Sequence, residues 1–523
     1  MVDGEVIDDS CECTYYQQSA MPPNEVFVYM GERGERPPQN VVRVRVDPSV
    51  TSIPFSAFKA RKKLAKVELC EGLVEIGERS FANCDRSITN INIPNSLRRI
   101  RKGAFYCSLR TPIRLHDGIE SIGAFAFARC IFTTFRIPPL IIVIPQYMLS
   151  SCGSTFSLEL SDNMREIRNA ALRYCHCLRN VAFPPNAVFG DDIFIDEDDN
   201  EMTDLQLLFG NSEVRILREL MHRFDGLPIH SIVYYQSYNP GVLQNLIHAT
   251  NTRSGQGWTL RSKLDPTGNQ QDCLGMTPLH IMACSSVHDL EVYRLIVQKY
   301  PANLITNDRW GALPLLYAFW GAAPTEIIQF LLESHQSLYP DHVFNWTMMV
   351  ETMGRCDTPK ESIENLLSVK QTLFPEQSID WGYLLDKFAQ PSLASFNGAP
   401  FQECMQFLFM CGMSERVEAL PFKVWRDCIY NMIQTWGRDN SDTLNRIREK
   451  LAHFEGELPK LKEATTLLEI ALWKVRMNEN NLQEGTHHPK KFKTDESSFQ
   501  RQCRVTCGGD VVIRHMLPFL IST

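Results

Sequence analysis

What this chain lacks narrows it before any pattern is read. No phosphate-cradling glycine loop, HExxH zinc helix, GxSxG nucleophile elbow or kinase signature occurs in its 523 residues. An enzyme would therefore need a site assembled without a local motif, and the sequence predicts no catalysis and no cofactor. Long apolar runs are also missing: the longest near either end, residues 511–522, is interrupted by Arg514, His515 and Pro518 and is too short to span a bilayer. The opening residues MVDGEVIDDS are acidic and lack the apolar stretch of a secretory signal. With no such signal, the 17 scattered cysteines read as reduced thiols, not as a disulfide framework. The expectation is an intracellular protein without a membrane span, cytoplasmic, with a nuclear alternative resting on the short basic cluster Lys490, Lys491 and Lys493.

What is present is a beat. Ile53, Ile76, Ile100, Ile122, Ile144 and Ile167 follow one another at intervals of 23, 24, 22, 22 and 23. Three residues before each stands an aliphatic side chain or Met, from Val50 to Met164; five residues after stands Phe58, Phe81, Phe105, Phe127, Leu149 or Leu172. A fixed period with apolar positions locked in phase predicts a solenoid whose coils bury a core only by stacking. Each coil also carries an apolar–polar–apolar triplet, at 67–69, 91–93, 113–115, 135–137, 158–160 and 181–183. Such alternation predicts one strand per coil, aligned into a parallel sheet. Its outward row is then Glu68, Asn92, Arg114, Arg136, Glu159 and Ala182, the candidate partner-binding stripe. Cys84, Cys107, Cys130, Cys152 and Cys175 recur once per coil and predict a ladder of buried structural thiols. Cys175-His176-Cys177 has no second ligand pair at finger spacing, so no metal is expected.

Units such as EGLVEIGERSFANC, NSLRRIRKGAFYC and DGIESIGAFAFARC closely resemble the leucine-rich repeats of the BspA and Treponema type, over roughly residues 41–185. Coils five and six depart by placing Leu149 and Leu172 where the family has Phe, and coil one lacks its Cys. The resemblance implies a fold and a binding habit, without chemistry.

Charge is uneven along the chain. Its formal net charge is −8, yet residues 41–185 hold 21 Lys and Arg against 11 Asp and Glu, a balance of +10. Arg61, Lys62, Lys63, Arg98, Arg99, Arg101 and Lys102 fall mostly between the apolar beats. They read as a solvated face or as a surface for an acidic partner, nucleic acid included. Residues 191–204 contain eight acids and no base and predict a solvated linker. Asp196-x-Asp198-x-Asn200 opens like a calcium loop but lacks the turn glycine and the closing Glu.

Beyond that linker the spacing turns helical. DCLGMTPLHIMAC, residues 272–284, closely resembles the ankyrin consensus, and the frame returns 36 residues later from Asn307 with Leu316 in place of His280. An earlier frame is Leu227-Pro228-Ile229-His230, and the polar stretch 251–271 between frames reads as an extended loop. Residues 290–299 and 325–333 supply second helices. At this consensus position His230 and His280 are structural, and Arg309 and Trp310, in the turn of the last frame, join the candidate partner-binding residues. Further helical stretches at 402–410, 424–435 and 461–475 suggest a capping domain. With the ending VIRHMLPFL, the two repeat types resemble a large group of repeat proteins in diatoms, a resemblance that brings no established activity.

The fold expected is therefore α+β multidomain: a parallel-β leucine-rich-repeat solenoid, an α-helical ankyrin-like array and a helical C-terminal cap. The segments are 1–40 (extension), 41–190 (solenoid), 191–204 (acidic linker), 205–340 (ankyrin-like repeats), 341–478 (helical domain), 479–502 (flexible) and 503–523 (docking tail). The leading function is an intracellular protein–protein scaffold or adaptor for an unknown partner. The alternative is an electrostatic binder of nucleic acid or another polyanion through the basic solenoid.

Overall fold

The computed structural model describes residues 25–32, 34–111, 113–194, 202–235, 241–243, 266–356, 358–380 and 383–384. The linker's centre, the stretch 251–265, the helical segments expected after 400 and the tail lie outside the described residues. Two compact units form. The larger takes residues up to Phe344 together with Cys356–Phe374, and the smaller takes Asn345–Arg355 with residues from Pro375 onward.

The larger unit begins as a parallel-β solenoid of about six turns, with hydrogen-bonded strands on two sides of most coils. One side carries the alternating triplets, one residue earlier than the sequence suggests. Val26–Tyr29, Arg43–Val46, Lys66–Glu68 and Asn90–Ile91 pair in that order, and Thr134–Arg136 pairs with Ser157–Glu159. The Ile beat builds the other side, from Ser52–Ile53 through Glu75–Ile76 and Arg99–Ile100 to Ser121–Ile122. Val143–Ile144, Glu166–Ile167 and Val188–Phe189 continue it as a second sheet. This second side is a finding that one strand per coil did not anticipate. The Val26–Tyr29 strand also carries the sheet into residues 1–40.

Stacking supplies the core. Phe58, Phe81, Phe105 and Phe127 lie ring on ring, with centroids 4.8, 5.3 and 5.6 Å apart and planes within 8°. Each such ring is fully buried, worth about 2 to 3 kcal/mol over an exposed one. The column stops at the buried Leu149, and Phe127 turns instead to Phe135 at 5.1 Å.

The turn after each Ile solves a backbone problem. Residues three and seven positions on are left-handed in coil after coil: Ser56 and Ala60, Arg79 and Asn83, Phe125 and Arg129, Tyr147 and Ser151, Ala170 and Tyr174. In this conformation alternate N–H groups point along the solenoid axis. Those of Ser56, Phe58 and Ala60 donate to Glu78, Ser80 and Ala82 of the next coil, so the turn leaves few orphan donors.

Two expected strands are absent. At 113–115 no ladder forms, and the preceding Pro112 has no N–H to donate. At 181–183 a tyrosine from the helical region takes the ladder's place, as described below.

The helical region opens at Thr203, whose side chain accepts from Gln206 N while Gln206 Oε1 accepts from Thr203 N, a reciprocal cap on Asp204–Phe209. Glu213–Met221 follows. First helices Pro228–Tyr235, Pro278–Ala283 and Pro314–Trp320 pack in sequence, and second helices Leu290–Lys299 and Thr325–Leu338 pack beside them. Lys360–Leu373 closes against Pro314–Trp320. The turns before the last two first helices are superimposable in their bonding. Asp272 Oδ1 accepts from Leu274 N and Met276 N, and Asp308 Oδ1 accepts from Trp310 N and Ala312 N. Gly275 and Gly311 close them at φ +75° and +78°, where a side chain would be strained.

The expected linker is solvated only in part at its described ends, where Asp191, Asp192 and Met202 are exposed. Ile193, Phe194, Thr203 and Asp204 are all buried, because the residues on either side of its centre belong to the core. In the smaller unit the helix Trp346–Arg355 is tied by Trp346 Nε1, which donates to Gln377 Oε1 at 2.6 Å, and by Asp380 N, which donates to Thr347 Oγ1.

Candidate functional site

The outward row is not one open stripe, because the helical region covers its far end. Ala182 is buried: Tyr234 Oη accepts from Ala182 N and Leu160 N and donates to Leu158 O at 2.7 Å. A side-chain hydroxyl thus stands where a strand-to-strand ladder was expected. Glu159 is 6% exposed, and its carboxylate accepts from Ser286 N in the loop between two helices. Burial is the largest influence on this carboxyl and raises its pKa, with the Ser286 contacts opposing. Both residues were expected to face outward and instead lie beneath the helices.

At the near end the row is exposed but internally satisfied. Glu68 pairs with Lys66 and Arg45, each at 2.8 Å, and those hydrogen bonds lower its pKa to about 2. Asn92 bonds the preceding coil with both ends of its amide, accepting from Leu69 N and donating to Leu69 O.

The middle of the row differs. Arg114 and Arg136 line a cleft of ≈ 390 Å³ between coils three and four and the loops 286–288 and 321–322. The missing third-coil strand is part of its wall, with Ile113 and Leu115 as apolar floor. Arg136 pairs with Asp117 at 2.6 Å. Arg114 is exposed and makes no ion pair among the described residues. Across the cleft, Tyr293 Oη donates to Met282 O, so the 2.8 Å contact with His288 Nδ1 requires that nitrogen to donate. His288 Nε2 is then an acceptor. Burial first, and Arg114 second, pull its pKa down to about 4, so the ring is neutral near pH 7.

Arg309 and Trp310 do not meet this cleft. Arg309 is exposed beside the Asp308 turn, whereas Trp310 is half-buried over the Arg179 guanidinium at 4.9 Å. Its indole N–H has no partner among the described residues. Arg179 reaches from the last full coil to Asp204 at 2.6 Å and to Tyr317 Oη, which donates to Asp308 Oδ2. Burial alone would lower its pKa, but Tyr317 and Asp204 override it and hold the charge. Arg223 does the reverse from the helical side. It donates to Asp272 Oδ2 at 2.7 Å, to Asn180 Oδ1 at 2.8 Å and to Val181 O in the solenoid. The sequence reading named neither arginine; nothing local marks them, since their partners lie 25 to 138 residues away.

The thiol ladder is real with one change. Cys84, Cys130, Cys152 and Cys175 donate to the carbonyls of Phe58, Phe105, Phe127 and Leu149. In the third coil Ser108, not Cys107, donates to Phe81 O, because Ser108 stands eight residues after its Ile, as the other four cysteines do, and Cys107 only seven. Arg61 fills the position in coil one and donates to Pro37 O. Among the described residues no group of His, Cys, Asp and Glu is placed to hold a metal, and no helix is long and apolar enough to cross a membrane.

Comparison with known proteins agrees with the solenoid. Residues 39–152 and 111–200 match the BspA type leucine rich repeat region, in 6 copies. A leucine-rich repeat protein from Bacteroides ovatus ATCC 8483 is 26% identical over 28% of this chain and 47% of its own, with a TM-score of 0.25. The T. pallidum leucine rich repeat protein is 18% identical over 26% of this chain and 78% of its own, at 0.22. A leucine rich cell surface protein from Faecalibacterium prausnitzii A2-165 is 21% identical over 29% and 35%, at 0.21. The chain thus spans about half the length of the first of these. No curated protein matches it.

Proposed function

We propose that this chain is a non-catalytic interaction scaffold, acting in the cytoplasm, in which a leucine-rich-repeat solenoid and ankyrin-like helical units are fused into one partner-binding body. One observation carries the reading: the cleft where Arg114 and Arg136 of the solenoid face the 286–288 loop of the helical region. Repeat solenoids commonly bind along a surface built from successive coils, and here the helical units complete that surface. The ankyrin-like assignment is supported by the paired Asp–Gly turns and by His280. Its Nδ1 meets Thr277 and its Nε2 meets Ala312 O at 3.1 Å, tying one unit to the next.

The polyanion alternative draws less support. A phosphate track needs unpaired bases on one face. Arg99 and Arg101 share Glu75, Arg98 faces Glu120, Arg61 is buried on carbonyls, and Arg45 and Lys66 hold Glu68.

Affinity capture from a native lysate with the full chain, at low and high salt, tests the reading by mass spectrometry. Discrete proteins retained at high salt are expected. Recovery of nucleic acid alone, lost as salt rises, would replace the scaffold by an electrostatic binder.

A further inference from the structure

We propose that the cleft takes an extended segment of a partner protein and seats one of its acidic side chains on the Arg114 guanidinium. The inference deepens the scaffold reading and rests on it.

Three features select this ligand. The first is charge: Arg114 is the exposed cation of the cleft and makes no ion pair among the described residues, while Arg136 beside it is matched by Asp117. One open guanidinium suits a single carboxylate and offers no path for a string of phosphates. The second is backbone. Among the described residues nothing donates to or accepts from the main chain of Ile113, Arg114 or Leu115, although both neighbouring triplets lie in sheets. An extended peptide brings the main-chain donors and acceptors that such a segment lacks. The third is the mixed wall: apolar Ile113, Leu115 and Val287 alongside the His288 ring, whose Nε2 can accept from a peptide N–H. A free anion would gain nothing from the apolar part.

Glu159 positions the far wall. Its carboxylate holds Ser286 N from below, so the loop that carries Val287 and His288 is fixed to the same sheet that carries Arg136.

The test titrates a fluorescein-labelled dodecapeptide of alternating Glu and Thr with the full chain, beside the Gln/Thr peptide of equal length, and follows anisotropy. The Glu/Thr peptide binds, and Arg114→Gln weakens it about tenfold, as loss of a central charged contact does. Lys62→Gln, on an exposed residue outside the cleft, leaves it unchanged. Equal affinity for wild type and Arg114→Gln, with both showing the same melting curve, would overturn the proposal. So would equal binding of the Gln/Thr peptide, displacement by inorganic phosphate as readily as by unlabelled peptide, or preference for a thymidine dodecamer. Failure here is separable from failure of the scaffold: if Arg114→Gln still retains discrete proteins from a lysate, the scaffold stands and its partner binds elsewhere. If wild type retains none, the scaffold itself falls.

Discussion

At the scale of single residues, this chain uses chemically reactive side chains as hydrogen-bond donors. Burial raises the Cys84, Cys130 and Cys175 thiols to about 12, so each keeps its proton and gives it to the carbonyl of the preceding coil. Ser108 does the same work with a hydroxyl, which shows that the position asks for a small donor and not for sulfur chemistry. Cys130→Ser is therefore expected to be nearly neutral, and Cys130→Ala to cost about 1 to 3 kcal/mol by leaving Phe105 O unpaired. Urea denaturation of the two variants measures the difference. His230 supplies the pH dependence. It is fully buried, its Nε2 meets Gln270 O, and its Nδ1 has no partner among the described residues, Leu227 standing where Thr277 serves His280. Burial lowers its pKa from 6.5 to about 4. The unfolded chain thus binds more protons between those values, so this contribution is complete above 6.5 and is lost as pH falls toward 4. Between pH 7 and 5 the wild type should lose about 2 kcal/mol more than His230→Gln, which keeps a donor for Gln270 O. Parallel slopes for the two proteins would show that His230 does not titrate with folding.

At the scale of elements, what could be read from the sequence is what repeats. The Ile beat, the Phe column and the triplets lie in register because each must meet its own copy one coil away, and copying leaves a mark at a fixed interval. The helices 290–299 and 325–338 were legible for the same reason, through their apolar spacing. What was not legible depends on a single partner from outside the repeat. Residues 181–183 have the composition of a strand, but Tyr234, 52 residues on, places its hydroxyl between two chains that would otherwise pair. Glu159 and Ala182 followed the row in sequence and lost their exposure to a helical region whose seat on the coils no periodicity announces. Tyr234→Phe is the corresponding experiment. It strands Leu160 N, Ala182 N and Leu158 O together, at about 1 to 3 kcal/mol for each buried group left unpaired. Hydrogen exchange at Leu160 and Ala182 should accelerate in this variant while the amides of Phe81 and Phe105 keep their protection. Uniform acceleration across the solenoid would instead mean that the hydroxyl supports the whole fold.

At the scale of the larger unit, the solenoid and the helices that follow it are joined through the carboxylates that shape two of the helical turns. Asp272 and Asp308 each close a turn with Oδ1 and turn Oδ2 toward an arginine system. Asp272 binds Arg223, which continues to Asn180 and Val181 of the solenoid; Asp308 binds Tyr317, which receives Arg179 from the solenoid. The carboxylates that shape the helical units are therefore linked through Arg223 and Tyr317 to the coils, and the buried Arg179 of the solenoid has its counter-charge, Asp204, in the first helix of the helical region. Removing one partner of a fully buried pair costs about 3 to 5 kcal/mol, because the remaining charge stays desolvated. This coupling predicts one cooperative transition, and the chain provides independent reporters for it. Alkylation of Cys284, buried next to the helix Pro278–Ala283, follows the helical units. Alkylation of the buried Cys130 follows the solenoid. In urea the two midpoints should coincide for the wild type. Asp272→Asn leaves Arg223 buried without its counter-charge and should lower both midpoints and draw them apart, with Cys284 becoming reactive first. Separate midpoints already in the wild type would mean that the coils and the helical units fold independently and that the buried arginines only decorate their contact.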